Sequence, residues 1–362
     1  MVDTIPTLPA VDQRTSYDRF VEEQGVPIVE SFHVPDLLEV EVGPWERKGA
    51  AGAIFRLQGA EYVNSSYLLE IPPSGQTTVQ RHMYEELIYV IKGRGATTVW
   101  NGRGARTSFE WSVGSFFAIP LNCSYQHFNG SGTEAARYYA VTSAPLMMNL
   151  VHNQDFIFNL DYDFIDRFGG TDLNTDFSGS GTAYQARIWE TNFVPDVNKM
   201  QLQEWKERGA GGSNVMLEIA DSSMCGHISQ FPVGTYKKAH RHAAGAHVVI
   251  LSGQGFSLLW REGDPIRRVD WGPGSVVVPG DRWFHQHFNT GPVPARYLAM
   301  RWGSQKYRVL GNYEVAKSTR EGGDQIEYED EDPQVRAMFE EDLARNGVQS
   351  KMTDITGIPA GS

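Results

Sequence analysis

The sequence predicts an all-β protein made of two tandem domains, each a sandwich or barrel, followed by a short C-terminal helix. Three observations predict this. The chain repeats itself at a fixed offset, each repeat is a series of short apolar runs punctuated by turns, and one helical signature stands alone near the end.

The repeat fixes the domain organisation. "WERKGA" at Trp45 recurs as "WKERGA" at Trp205, and "KGRGATTVW" recurs as "SGQGFSLLW". "FEWSVGS" pairs with "VDWGPGS", aligning Trp111 with Trp271 and Gly114 with Gly274. "YQHFN" at Tyr125 recurs as "HQHFN" at His285. All of these lie 160 residues apart, and "ARYYA" and "ARYLA" (Ala136 and Ala295) lie 159 apart. The expected layout is an arm over 1–35, a first domain over 36–150, a linker over 151–195, a second domain over 196–310 and a tail over 311–362.

Within a repeat, "SYLLEI", "LIYVI", "ATTVW" and "SFFAIP" are rich in β-branched and aromatic residues, and "PPSG", "KGRG" and "NGSG" mark turns between them. Many short, evenly spaced strands read as a closed or double sheet. The linker is aromatic and acidic and reads as an amphipathic packing segment with no assigned place. In the tail, Asp332 is an N-cap, Pro333 the first helical residue and Gly347 the stop, with Val335, Met338, Phe339 and Leu343 on one face.

Composition excludes several partner classes. A net charge of -12 offers no attraction to nucleic acid or an anionic membrane. No apolar run is long enough to cross a bilayer, and the first 20 residues lack a basic and then apolar leader, so a cytoplasmic protein is expected. Cys123 and Cys225 are the only cysteines. They allow one disulfide but suit a reducing compartment better, and they make a nitrogen- or oxygen-ligated metal the expectation.

Three of the ten histidines fall in "AHRHAAGAH". His240 and His242 are two apart, which on a strand puts both imidazoles on one face. His285 is brought opposite by barrel closure. Three neutral imidazoles suit Fe, Zn, Cu or Ni, and leave positions open for further ligands.

The pattern Gly234, His240, His242, Gly253, then Gly274, Pro279, His285 and Asn289 resembles the paired motifs of the cupin superfamily. With two copies the chain looks like a bicupin, which implies two double-stranded β-helix (jelly-roll) barrels. Ala246 stands where the motif usually has glutamate. Its absence, with the segment "WFHQHFN", is similar to the gentisate 1,2-dioxygenase group of ring-cleaving enzymes. Those members typically use the first barrel for iron, whereas here the intact set is in the second. The resemblance implies Fe(II) on His240, His242 and His285, with Mn, Ni or Zn as alternatives. It also implies a hydroxylated aromatic acid of gentisate or salicylate type and O2 as substrates, and a homo-oligomer.

Other positions carry paired readings. His287 points the same way as His285, but its counterpart His127 in the first repeat favours a fold-supporting role equally. His247 is a fourth ligand in place of the glutamate, or is turned away by strand alternation from Ala246. Trp283 walls an aromatic pocket or is core. Arg301, which replaces Thr142, clamps a carboxylate or is a surface residue. In the first repeat Gln80, His82, Glu86 and Tyr125 occupy the ligand positions and form a weak metal site or a degenerate, packed barrel. Three functions follow: a dioxygenase, a metalloenzyme doing decarboxylase, lyase or isomerase chemistry on a small carboxylate, and a non-catalytic small-molecule-binding bicupin.

Overall fold

A computed structural model describes residues 13–60, 62–169, 177–243, 245–307 and 317–357. Parts of the expected arm (1–12), linker (170–176), second domain (308–310) and tail (311–316 and 358–362) lie outside the described residues.

Each repeat folds as a large sheet facing a small one. In the first, the large sheet runs Ile28–Ser31, Ala50–Leu57, Ser65–Ile71, Ala136–Thr142, Glu86–Lys92, Phe116–Ala118. Its small sheet is Ser124–Asn129, Arg94–Trp100, Arg106–Ser112. The second repeat copies this with Ile188–Thr191, Ser213–Ile219, Met224–Phe231, Ala295–Trp302, His247–Ser252, Val276–Val277 in the large sheet. Thr235–Tyr236, Phe284–Asn289, Gly255–Trp260 and Arg267–Trp271 form its small one. Apart from the leading strand of each large sheet, which runs parallel to its neighbour, the pairing within these sheets is antiparallel. One face of each strand therefore looks into its own barrel and the other looks out.

The outer faces of the two large sheets pack against each other. Phe55, Leu68, Tyr139, Leu217, Leu298 and Met300, all essentially inaccessible, form this shared core. The segments read as arm and linker join the sheets instead of hanging outside them. His33–Val34 pairs with Val276–Val277 of the second barrel, and Phe193–Val194 pairs with Phe116–Phe117 of the first. Each barrel thus borrows an edge strand that leads into the other. Sequence spacing carried no sign of this, because the strands are only two residues long.

An N-terminal helix, Ser16–Glu23, is closed by a capping box in which Thr15 and Asp18 exchange hydrogen bonds. It lays Tyr17, Phe20 and Val21 onto the first barrel. The C-terminal helix spans Pro333–Asn346, with the Asp332 side chain accepting from Gln334 N and Gly347 left-handed at its end (φ 66°). Its Val335, Phe339 and Leu343 pack on Tyr236 and Phe288, behind the small sheet of the second barrel, and Met338 is partly buried there. Cys123 and Cys225 are both buried and unbridged. Among the described residues no helix is long and apolar enough to cross a membrane.

Candidate metal centre

The segment carrying His240 and His242 follows the strand Thr235–Tyr236 and is extended, but it is not a ladder strand. Isolated bridges to His285 and Gln325 hold it; in the first, His240 N donates to His285 O at 3.1 Å and His285 N donates to His240 O at 2.9 Å. His285 is therefore a backbone neighbour of His240, not a residue brought from the opposite wall. The local bridge places both imidazoles on the inner face, which is where barrel closure was expected to put them.

The three rings converge. Their centroids lie 4.1 Å (His240–His285), 4.9 Å (His242–His285) and 5.7 Å (His240–His242) apart. One nitrogen from each falls within 4.8 Å of the others. Each Nδ1 is tied to a backbone carbonyl: His240 to Lys238 O (3.3 Å), His242 to Ala243 O (3.2 Å), His285 to Trp283 O (3.1 Å). A ring that donates from Nδ1 presents the lone pair of Nε2, and this outer tie is what orients metal-ligating histidines. Burial, with positive neighbours added, pushes all three well below the ordinary imidazole range, His285 to about 3. They are neutral at pH 7, the state that metal binding requires. The donor set and its orientation fit a divalent ion.

A cavity of about 220 Å³ opens on these rings. Ile188, Met216, His227, Ala299 and Val248 cross it as one row, because they are cross-strand partners on four adjoining strand pairs of the large sheet. Arg187, Arg208, Lys237 and Arg301 also line it, and among the described residues no Asp or Glu does. Burial pulls the Arg208 guanidinium down to about 9 and lowers the Lys237 ammonium. Burial pushes the Tyr297 phenol up, but Lys237, Ser229 and Arg208 outweigh it and hold it below its ordinary value. Lys237 Nζ donates to Ser229 Oγ and to Tyr297 Oη (3.3 Å).

The remaining expected residues separate clearly. Arg301 lines the cavity. His287 lines it too, but its Nδ1 is engaged by Ser257 Oγ at 2.7 Å, which also accepts from Trp271 Nε1 at 2.9 Å. The first barrel repeats this unit as His127, Thr97 and Trp111, at 2.7 and 2.9 Å. His247 lies between the lining residues Ala246 and Val248, so strand alternation turns it outward. There its Nδ1 meets Tyr139 Oη of the other barrel at 2.8 Å. Trp283 does not line the cavity. Its ring packs on Phe32 and under Arg261, and its contribution to the centre is the carbonyl that orients His285.

In the first barrel, His82, Glu86 and Tyr125 do meet, but around each other. Tyr125 Oη bonds Glu86 Oε2 (2.7 Å) and His82 Nε2 (2.9 Å), and Tyr67 donates to Glu86 Oε1 (2.9 Å). Lys48 Nζ, 3.6 Å from Glu86, supplies the positive charge. Burial pushes the Glu86 carboxyl up, but Lys48 and His82 outweigh that and hold it ionised. Gln80 turns away, to Arg47 O and Thr78 Oγ1. The closed, filled arrangement is that of a packed barrel.

Sequence reasoning missed Arg187, Arg208, His227 and Lys237. The repeat offset held the signal, since they replace Pro27, Lys48, Tyr67 and Thr77.

No protein-family model matches the sequence, and no curated protein does. Solved structures do match in shape. A Lactobacillus farciminis oxalate decarboxylase in a formate complex superposes with a TM-score of 0.51 at 12% identity, covering 75% of this chain and 86% of that one. A second structure, described as showing the substrate binding mode and a reaction specificity switch in oxalate decarboxylase, gives 0.50 at 13% identity, with coverage of 85% and 88%. At such identity the likeness bears on fold alone: two tandem cupin barrels with a short C-terminal helix.

Proposed function

We propose that the chain is a metal-dependent enzyme acting on a small carboxylic acid in its C-terminal barrel, with His240, His242 and His285 as ligands. One observation carries this reading: three neutral imidazoles, two buried and His242 half-buried, each tied from behind, converge on a cavity whose charged lining among the described residues is cationic. A divalent ion held there would supply a Lewis acid that polarises a bound carboxylate or carbonyl. The cationic side chains bind and orient the acid, the apolar row excludes water, and Lys237 with Tyr297 forms a proton-handling pair at the wall.

Non-oxidative chemistry, as a decarboxylase, lyase or isomerase, is the first reading. The fold likeness to oxalate decarboxylases supports it, as does a buried lysine–tyrosine pair able to return a proton to carbon. Ring cleavage of a hydroxylated aromatic acid with O2 and Fe(II) is the second. The apolar row of Ile188, Met216, Val248 and Ala299, with Trp205 beside it, favours it by offering a surface for a ring. Three imidazoles accept Fe, Mn, Ni or Zn.

The test is elemental analysis of protein purified without added metal, followed by incubation with aliphatic and hydroxybenzoic acids while CO2 and O2 are both measured. CO2 release without O2 uptake supports the first reading, and O2 uptake with hydroxybenzoates the second. Stoichiometric metal with neither activity overturns the enzyme reading and leaves a binding module.

A further inference from the structure

The charge balance of the cavity is unusual within this chain. Elsewhere, partly buried arginines meet acceptors: Arg56 has Asp18, Arg167 has Glu85, and Arg296 has the carbonyls of Val197 and Met200. Arg187 and Arg301 do not. Neither guanidinium makes a hydrogen bond or ion pair with a described residue, and the Nε of each is buried without a partner. Arg187 rests on the Trp205 ring at 4.7 Å, with Arg208 against the same ring at 4.9 Å. Glu218, on the same sheet row as Arg301, is turned to Ser304 Oγ (2.5 Å) and Gln305 N (2.7 Å). Buried donors left unpaired cost free energy, so this arrangement is kept where a ligand completes it.

The cations stand on both sides of the apolar row. Arg301 lies two residues beyond Ala299 on its strand, on one side of the apolar row. Tyr297, which holds Lys237, lies two residues before Ala299, on the other side. At the mouth, Arg187 follows Ala186 in a hairpin turn between Thr182–Tyr184 and Ile188–Glu190, and both turn residues are left-handed (φ 62° and 59°). Two successive non-glycine residues in that region are strained, and such strain is retained where the surroundings or a ligand demand the placement.

Building on the metal reading above, we propose that the substrate is a small dicarboxylate: one carboxylate is placed at the metal, and the second is gripped by the unpartnered guanidiniums of Arg187 or Arg301. A monoacid neutralises only one side of the row and leaves the other cation buried without a counter-charge. A dicarboxylate, aliphatic or carried on a ring, spans both.

The test is calorimetric binding to the full-length, zinc-loaded protein, using matched pairs: succinate against butyrate and phthalate against benzoate. The diacid of at least one pair should bind about tenfold tighter or more, the expected scale for an added charge-assisted bidentate contact. Arg301→Gln and Arg187→Gln are measured singly and together. At least one should erase most of that advantage, and Arg301→Lys should keep part of it. Equal affinities within both pairs, no diacid binding, or an advantage that survives the double replacement would overturn the proposal. Metal content on the same samples separates the two ideas. Stoichiometric metal without diacid preference sinks the dicarboxylate alone, and a diacid preference in protein that takes up no zinc sinks the metal reading and the placement of the first carboxylate, leaving only the arginine grip.

Discussion

The two barrels are built from one plan and treat their buried charge in opposite ways. Both hold the same Trp–hydroxyl–His unit behind the cavity. In the first, Lys48 is answered by Glu86, which Tyr67 and Tyr125 also bond, and Tyr17 and Phe20 of the N-terminal helix help line what is left, a space of about 20 Å³. In the second, Arg208 stands in place of Lys48, Ala246 in place of Glu86 and His285 in place of Tyr125. No carboxylate stands at the Glu86 position, the mouth carries a hairpin where the first has a helix, and about 220 Å³ stays open. A buried ion pair satisfied from within serves the fold, whereas Arg187 and Arg301 pair with no described residue and are the groups proposed to meet a ligand.

The largest expected effect falls on metal content. His242→Ala should take elemental analysis from about one ion per chain to near none, since two imidazoles do not retain a divalent ion against competing chelators. Glu86→Gln in the first barrel should leave metal content unchanged. An equal loss there would break the comparison. That same replacement, which strands the Lys48 ammonium, should destabilise the protein by about 3–5 kcal/mol in denaturant titration. Lys48→Met with Glu86→Leu should cost less than the two single changes added together.

Smaller effects sharpen the picture. Ser257→Ala removes the common acceptor of Trp271 and the partner of His287, and should cost about 1–3 kcal/mol. Thr97→Ala should cost a similar amount, because the unit is the same. If only Ser257→Ala lowers substrate affinity, the second copy of the unit also serves the site. Burial lowers both His127, in the first barrel, and His247, at the contact between barrels, to about 3. Their unfolded value is near 6.5, so the unfolded chain binds more protons as pH drops. The stability tied to their neutral forms is complete above about pH 6.5 and is lost toward pH 3, with a slope approaching about 1.4 kcal/mol per pH unit per group. Thermal midpoints recorded across that range should fall, and His247→Gln should flatten the fall. The smallest effect is Asp332→Ala, which removes one helix cap and about 1 kcal/mol, with no change in metal binding.

Much of this was legible in the residues. The fixed offset between repeats announced two copies, and the Asp332–Pro333…Gly347 pattern bounded the last helix, because caps act locally. The convergence of His240, His242 and His285 was legible because the first two are two apart on extended chain and a paired motif links them to His285. What was hidden depends on long-range placement. Arg187 sits in a turn 21 residues before Arg208, and only folding brings both to Trp205. Trp283 read equally as a pocket wall or as core, and neither reading showed that its carbonyl is what reaches the centre. His247 could be resolved only by knowing which way Ala246 faced.

The traded edge strands carry a last consequence. His33–Val34 completes the second barrel and Phe193–Val194 completes the first. A chain severed midway would give two halves, each carrying a strand meant for the other and each showing a bare sheet edge of the kind that recruits neighbouring molecules. The halves should therefore melt as one unit when joined. Expressed together as separate polypeptides they should reassemble, and expressed singly they should pair with their own copies or precipitate.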